Sequence, residues 1–189
     1  MKSSDRLIVG AVLLLLAGCA KPPAPGEFER ATLHGMVYSD QGMPVAWATV
    51  QTGEKSAVTD IRGRFSIPAV ERGPLELSVT AEDHLLLQTS ALFTNRTQVL
   101  YLSMESLMTR TQEIRGALRD GRPARAADRA REALALGAAD PVFSYLLAVA
   151  ELQAGRPVEA ERALAHIADE ELEAVRLLAS QIERAEEEQ

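Results

Sequence analysis

Cysteine is all but missing from this chain of 189 residues, Cys19 being the only one. A lone cysteine in an exported protein leaves a free thiol or half of an intermolecular bridge, unless its position gives it another use. Histidine is nearly as scarce, with His34, His84 and His166 scattered along the sequence. An enzyme needs acid, base, nucleophile or metal ligands in one converging set, and no motif here supplies one, so no catalytic, cofactor or metal residues are assigned and no small-molecule substrate is expected. Aromatic residues reach only 4%, with one tryptophan, a poor supply for a sugar-stacking surface. Positive charge is in deficit, the formal net charge being -7. Without a basic cluster, neither nucleic acid nor an anionic headgroup surface attracts the chain electrostatically. Long apolar runs are lacking too: Leu7 to Leu16 makes ten residues, against the roughly 20 that a bilayer core requires.

What is present is a globular composition, 47% hydrophobic and 25% charged, which supports a buried core. The length suits two small domains. At the start, Lys2 and Arg6 precede the apolar run, and the small residues Ala17 and Gly18 lead into Cys19, the order of an export signal. Leu16-Ala17-Gly18-Cys19 resembles the lipobox of bacterial lipoproteins, a specific pattern at a specific distance from the start. The resemblance implies removal of residues 1–18 as a signal peptide and a thioether-linked diacylglycerol on Cys19, the new N-terminus. Several acyl chains make such an anchor durable, since each buried methylene contributes ~0.8 kcal/mol and one chain alone holds marginally. Ala20 occupies the position where enterobacterial lipoproteins carry an aspartate for inner-membrane retention. The address this implies is the cell envelope, on the outer membrane facing the periplasm. A plain N-terminal membrane helix and an ordinary cleaved signal are the competing readings.

Residues 19–31 lack an apolar period and carry Pro22, Pro23 and Pro25, which favours extended polyproline-type backbone. This reads as a tether. At ~3.1 Å per residue its reach is about 40 Å at most, so whatever follows works close to the membrane.

Residues 32–104 switch to short alternating segments between turn residues. Leu33, Gly35 and Val37 share a strand face; Ala46, Ala48 and Val50 share the next, with Gln41-Gly42-Met43-Pro44 turning between them. Phe65 and Ile67 follow, then Leu75, Leu77, Val79 and Ala81, then strands over 85–92 and 98–102 around Asn95-Arg96. Six or seven strands so spaced predict a sandwich. Gly35-x-Val37, Gly42-x-Pro44, Ala48-x-Val50, Thr59-Asp60-x-x-Gly63-x-Phe65-x-Ile67 and Gly73-x-Leu75-x-Leu77-x-Val79 together resemble the carboxypeptidase regulatory-like domain. The resemblance implies a prealbumin-like (transthyretin-like) β-sandwich over some 70 residues, without the catalytic zinc domain for which that family is named. Asp83-His84 stands where the family carries a Gly-aromatic pair.

Residues 105–189 read as helical, and the decisive signal is repetition. Gly121-Arg122-Pro123 recurs as Gly155-Arg156-Pro157, an offset of 34 residues, with Leu118, Ala126 and Ala130 in register with Leu152, Ala160 and Leu164. Glycine ends one helix and proline opens the next, which makes a tight antiparallel pair. The 34-residue period resembles tetratricopeptide repeats. Helices are predicted over 107–120, 123–136, 141–154 and 157–167, and a capping helix over 170–187 with Leu172, Val175, Leu178 and Ile182 on one stripe. The fold class is thus α+β multidomain, a prealbumin-like sandwich followed by an all-α helical hairpin array.

By the same resemblance the first helix of each pair lines a groove. It would hold Met108, Thr111, Arg115 and Arg119, then Tyr145, Val149, Leu152 and Gln153, near a bound peptide; Val149 and Leu152 as core under the cap is the alternative. Trp47, pointing opposite to Ala46 and Ala48, is an interface anchor or a sugar-stacking platform. Asp40, Asp60, Glu82 and Asp83 are turn caps, with calcium ligation the less favoured reading. His34 is expected to face away from the strand core, His84 to lie in a loop, and His166 to sit on a solvated helix face. The function these residues point to is a non-catalytic, membrane-anchored adaptor or assembly factor that binds an envelope protein through Arg115, Arg119, Tyr145, Val149 and Trp47. A carbohydrate-binding module on the sandwich is the alternative.

Overall fold

The computed structural model describes residues 30–167 and 173–187. The signal-like segment, Cys19, the tether up to residue 29 and Leu172 lie outside the described residues.

Seven strands come first: β1 (Arg30–Ser39), β2 (Thr49–Thr52), β3 (Lys55–Val58), β4 (Arg64–Glu71), β5 (Gly73–Thr80), β6 (Leu87–Phe93) and β7 (Val99–Met104). They form a three-stranded sheet in the order β4-β1-β7 and a four-stranded sheet in the order β3-β2-β5-β6. β1 runs antiparallel to β4 and parallel to β7. Alternation decides which side chains face inward. Leu33, Val37, Phe65, Ile67, Leu100 and Leu102 from the first sheet meet Val50, Leu77, Val79 and Phe93 from the second in one buried cluster. Two sheets around one core make a β-sandwich.

The expected strand faces of β1 and β5 hold, with Leu33, Val37, Leu77 and Val79 buried. Two expectations about strand limits need correction, and one further strand had not been expected. β1 begins at Arg30, inside the expected tether, because Arg30 and Ala31 pair with Glu71 and Val70. The second strand starts at Thr49 and not Ala46, because Trp47 has φ 60° and breaks the extended backbone ahead of it. Lys55–Val58, whose sequence Lys-Ser-Ala-Val shows no apolar alternation, forms a hairpin with β2 and packs Ala57 against the core.

Five helices follow: α1 (Leu107–Arg119), α2 (Pro123–Ala135), α3 (Pro141–Gln153), α4 (Pro157–Leu164) and α5 (Glu173–Glu187). Each packs on its successor, and α3 also touches α1 and α5. Ser106 caps α1 by accepting the Thr109 N–H, and Asp140 caps α3 by accepting the Val142 N–H, satisfying donors that a helix start leaves free. The repeat is visible in the turns. Gly121 (φ 68°) donates to the Leu118 carbonyl and Arg122 to that of Ala117; Gly155 (φ 73°) donates to Leu152 and Arg156 to Glu151. These are the paired bonds of a Schellman stop. Burial repeats as well, Ala126 with Ala160 and Ala130 with Leu164 all being buried. α4 ends at Leu164, earlier than expected, so His166 lies in the turn after it and not in a helix. Val175, Leu178 and Ile182 of α5 close a cluster with Ala160, Ala163 and Leu164. Among the described residues no helix is long and apolar enough to cross a membrane.

Candidate functional site

The sandwich and the helices meet through a short set of backbone bonds. Leu85 N–H donates to the Glu105 carbonyl at 2.9 Å, Leu107 N–H to that of Asp83 at 2.9 Å, and Leu86 N–H to that of Leu136 at 3.3 Å. His84 bridges to Ser106. These bonds aim Leu85 out of the sandwich and into the helical cluster of Ile114, Ala117, Ala130, Phe143 and Leu146, where it is buried. Leu85 was expected to open a strand; it instead plugs the neighbouring core, and β6 starts at Leu87.

Arg110 reinforces the joint. It is 3% exposed, and its Nε and Nη2 donate to the two carboxylate oxygens of Glu105 at 2.7 and 2.6 Å. Its Nη1 donates to the Arg129 carbonyl at 3.2 Å and to Glu132 Oε2 at 3.0 Å. Arg129 reaches Glu113 at 3.0 Å and Glu132 at 2.8 Å. A buried charge needs this kind of full pairing to be tolerated. The bond to Glu105 holds the Arg110 guanidinium even more firmly protonated than usual. The bond from Arg129 lowers the Glu132 carboxyl.

With the joint fixed, a cleft of about 790 Å³ opens between the end of the sandwich and the first helix. Ser39, Gln41, Met43, Pro44, Asp83 and His84 form one wall; Met108, Thr111, Gln112, Arg115, Asp140 and Val142 form the other. Gln41 Nε2 donates to Thr109 Oγ1 at 3.4 Å, linking the sandwich to α1. Met43 and Met108 are 65% and 64% exposed, one from each wall. Arg115 is exposed and makes no hydrogen bond or ion pair among the described residues.

The expected groove residues therefore divide. Met108, Thr111 and Arg115 come together in this cleft. Arg119 is exposed at the end of α1, outside the cleft lining. Tyr145, Val149 and Leu152 are half-buried against the cluster under α5, the core position that was the alternative for Val149 and Leu152. Trp47 is exposed on the sandwich, apart from the cleft lining. His34 faces outward and its Nδ1 lies 2.8 Å from Ser66 Oγ. Asp60 serves its own turn: Oδ1 accepts the N–H groups of Arg62 and Arg64 at 2.8 and 3.0 Å, and Oδ2 accepts the Arg64 guanidinium at 2.7 Å. Those bonds, the Arg64 side chain first, lower its carboxyl to about 2. Among the described residues no group of three or more His, Cys, Asp or Glu is placed to hold a metal. Sequence reasoning missed Met43 as a partner of Met108, Leu85 as the plug and Arg110 as the strut. Arg110 alone left a trace, through Glu113 three residues on.

No family model and no curated protein matches the chain. Partial matches exist among solved structures. A type II cohesin–X-dockerin complex from Acetivibrio cellulolyticus aligns at 23% identity over 40% of this chain and 58% of that one, with TM-score 0.35. The Bacillus anthracis TIE protein aligns at 15% over 41% of this chain and 17% of its own, TM-score 0.35. BcpA, the major pilin subunit of Bacillus cereus, aligns at 13% over 41% and 28%, TM-score 0.33. The chain spans just over half of the first of these and less of the others.

Proposed function

We propose that the mature protein is a lipid-anchored, non-catalytic adaptor or assembly factor of the cell envelope, on the outer membrane facing the periplasm. In this reading a prealbumin-like sandwich and tetratricopeptide-like helix pairs act as one rigid holder for a protein partner. The observation that carries it is the joint cleft: two exposed methionines and Arg115, unpaired among the described residues, face one space whose walls are joined through Leu85 and Glu105. Methionine adapts to irregular apolar partners, and a free guanidinium supplies one strong, directional contact to a partner carboxylate. Binding of this kind draws on buried area and a few anchors.

The test is in-cell crosslinking from the cleft with the full chain. Met108→Asp and Arg115→Glu should each lower recovery of the crosslinked partner at least about tenfold, the scale of losing one interface anchor. Both positions are exposed, so stability should stay within about 0.5 kcal/mol. If neither change alters the crosslinking pattern, the cleft is not the binding surface.

A second reading, carbohydrate binding by the sandwich, is supported by Tyr101, which is exposed on β7 and stacked on Tyr38 with ring centroids 6.5 Å apart. A chain that is not pulled down on peptidoglycan would remove it, and one that is should lose that binding in Tyr101→Ala.

A further inference from the structure

Trp47 combines a strained backbone with an exposed ring. Its φ of 60° lies where bulky residues rarely sit, yet its side chain is left 70% exposed. The surrounding bonds hold it there. Trp47 N–H donates to the Thr59 carbonyl at 3.2 Å, and Thr59 N–H to that of Ala48 at 2.8 Å. The buried Thr59 hydroxyl accepts the Ala48 N–H and donates to the Val45 carbonyl, both at 2.8 Å. Two loops are clamped together by this lattice. Val58, the last residue of β3, and Ile61, in the turn that follows, are 58% and 71% exposed beside Thr59. Ile61 rides on a turn that Asp60 closes from both ends.

We propose that Trp47, Val58 and Ile61 seat on the surface of the bilayer that holds the Cys19 anchor, giving the protein a second membrane contact that fixes its orientation. This rests on the reading of Cys19 as acylated. An indole with an apolar body and a polar N–H settles at the headgroup boundary, and neighbouring aliphatic side chains bury into the acyl margin. The clamp presents them at fixed positions, so little side-chain ordering remains to oppose insertion. The net charge of -7 gives no electrostatic capture, so the contact is apolar and insensitive to salt.

Reach permits it. The patch lies beside the later half of β1, since the loop leads into Arg64, which pairs with Met36. From Arg30 to Met36 an extended strand rises roughly 20 Å. The segment from Ala20 to Arg30, extended, covers about 34 Å, enough to run back along the sandwich and lay the patch on the membrane.

Trp47 is the only tryptophan, so its fluorescence reports this site alone. The full lipidated chain is reconstituted into vesicles of phosphatidylethanolamine and phosphatidylcholine, with and without phosphatidylcholine brominated along its acyl chains. The expected result is blue-shifted emission, reduced access to acrylamide, and a loss of at least about half the emission to the bromines, as an interfacial indole requires. Adding salt should not reverse it. Ile61→Asp should return Trp47 to a water-like spectrum while the protein stays on the vesicles.

A vesicle-bound protein whose Trp47 is water-like and unquenched overturns the proposal and leaves the anchor standing. A protein that does not float with vesicles overturns both. Trp47 shielded only after an envelope extract is added would assign the patch to a protein partner, which also overturns it.

Discussion

Arg110 grips Glu105 with two parallel hydrogen bonds, Nε to Oε1 at 2.7 Å and Nη2 to Oε2 at 2.6 Å. The pair straddles the only covalent link between β7 and α1, and Glu105 also accepts the Leu85 N–H through its carbonyl. Glu105, one residue past β7, thus ties the first helix through its carboxylate and the plug through its carbonyl. Removing one partner of a buried pair leaves the other charge uncompensated, which costs about 3–5 kcal/mol. Glu105 keeps partial access to water, which places Arg110→Met near about 3 kcal/mol. Urea unfolding followed by Trp47 emission and by helical dichroism should then separate into two transitions, because the sandwich and the helices lose their common strut.

Gly63 sits where its φ of 74° and the space around it both forbid a side chain. A Cβ there would lie 2.4 Å from the Val37 carbonyl oxygen and 3.3 Å from Pro44 Cβ. Gly121 has nearly the same φ, and a Cβ there would meet nothing within 4 Å among the described residues. Gly121→Ala should therefore cost about 1 kcal/mol, the conformational penalty alone. Gly63→Ala should cost more than roughly 2 kcal/mol, since backbone must shift as well. Denaturant midpoints of the two variants measure the difference directly.

The contrast between repeat and joint explains what could be read in advance. Gly121 and Gly155 announce their helix stops because both halves of the signal, glycine and the following proline, are local. Asp60 and Gly63 announce a turn for the same reason, and β1 and β5 show their inward faces because alternation is local too. Met43 and Met108 are 65 positions apart, and no local rule brings them to one cleft. Leu85 has the same apolar character as a strand residue; its own bond to Glu105 and the bond of Leu86 to Leu136 turn it toward the helices. β3 hid because Lys-Ser-Ala-Val shows no apolar alternation although Ala57 turns to the core, and the φ of Trp47 hid because a long-range clamp through Thr59 holds it.

Acid should reach Asp60 late. Its carboxyl is lowered from 3.8 to about 2, first by the Arg64 side chain and then by the Arg64 backbone N–H. A depressed folded-state pKa contributes stability that is complete above the unfolded value and fades as pH falls through the folded one. The window is therefore between about pH 4 and pH 2. Carboxyl NMR titration should find the Asp60 midpoint at about 2, and Arg64→Met should move it back toward 3.8. Asp60→Asn should remove the part of the acid-induced loss of stability that falls in this window.

Leu85 offers the sharpest test of whether the two parts of the molecule form one cooperative unit. It leaves the sandwich at a backbone bridge and is buried among Ile114, Phe143 and Leu146, so Leu85→Ala opens a cavity inside the helical core without touching any sandwich contact. Such truncations cost about 2–5 kcal/mol. Leu85→Met, which keeps the volume, should cost less than about 1.5 kcal/mol. If the parts are coupled, the loss in Leu85→Ala appears equally in Trp47 emission and in helical dichroism, although Trp47 belongs to the other core. A loss confined to the helical signal would mean that the joint transmits nothing, and the cleft would then have one wall free to move against the other.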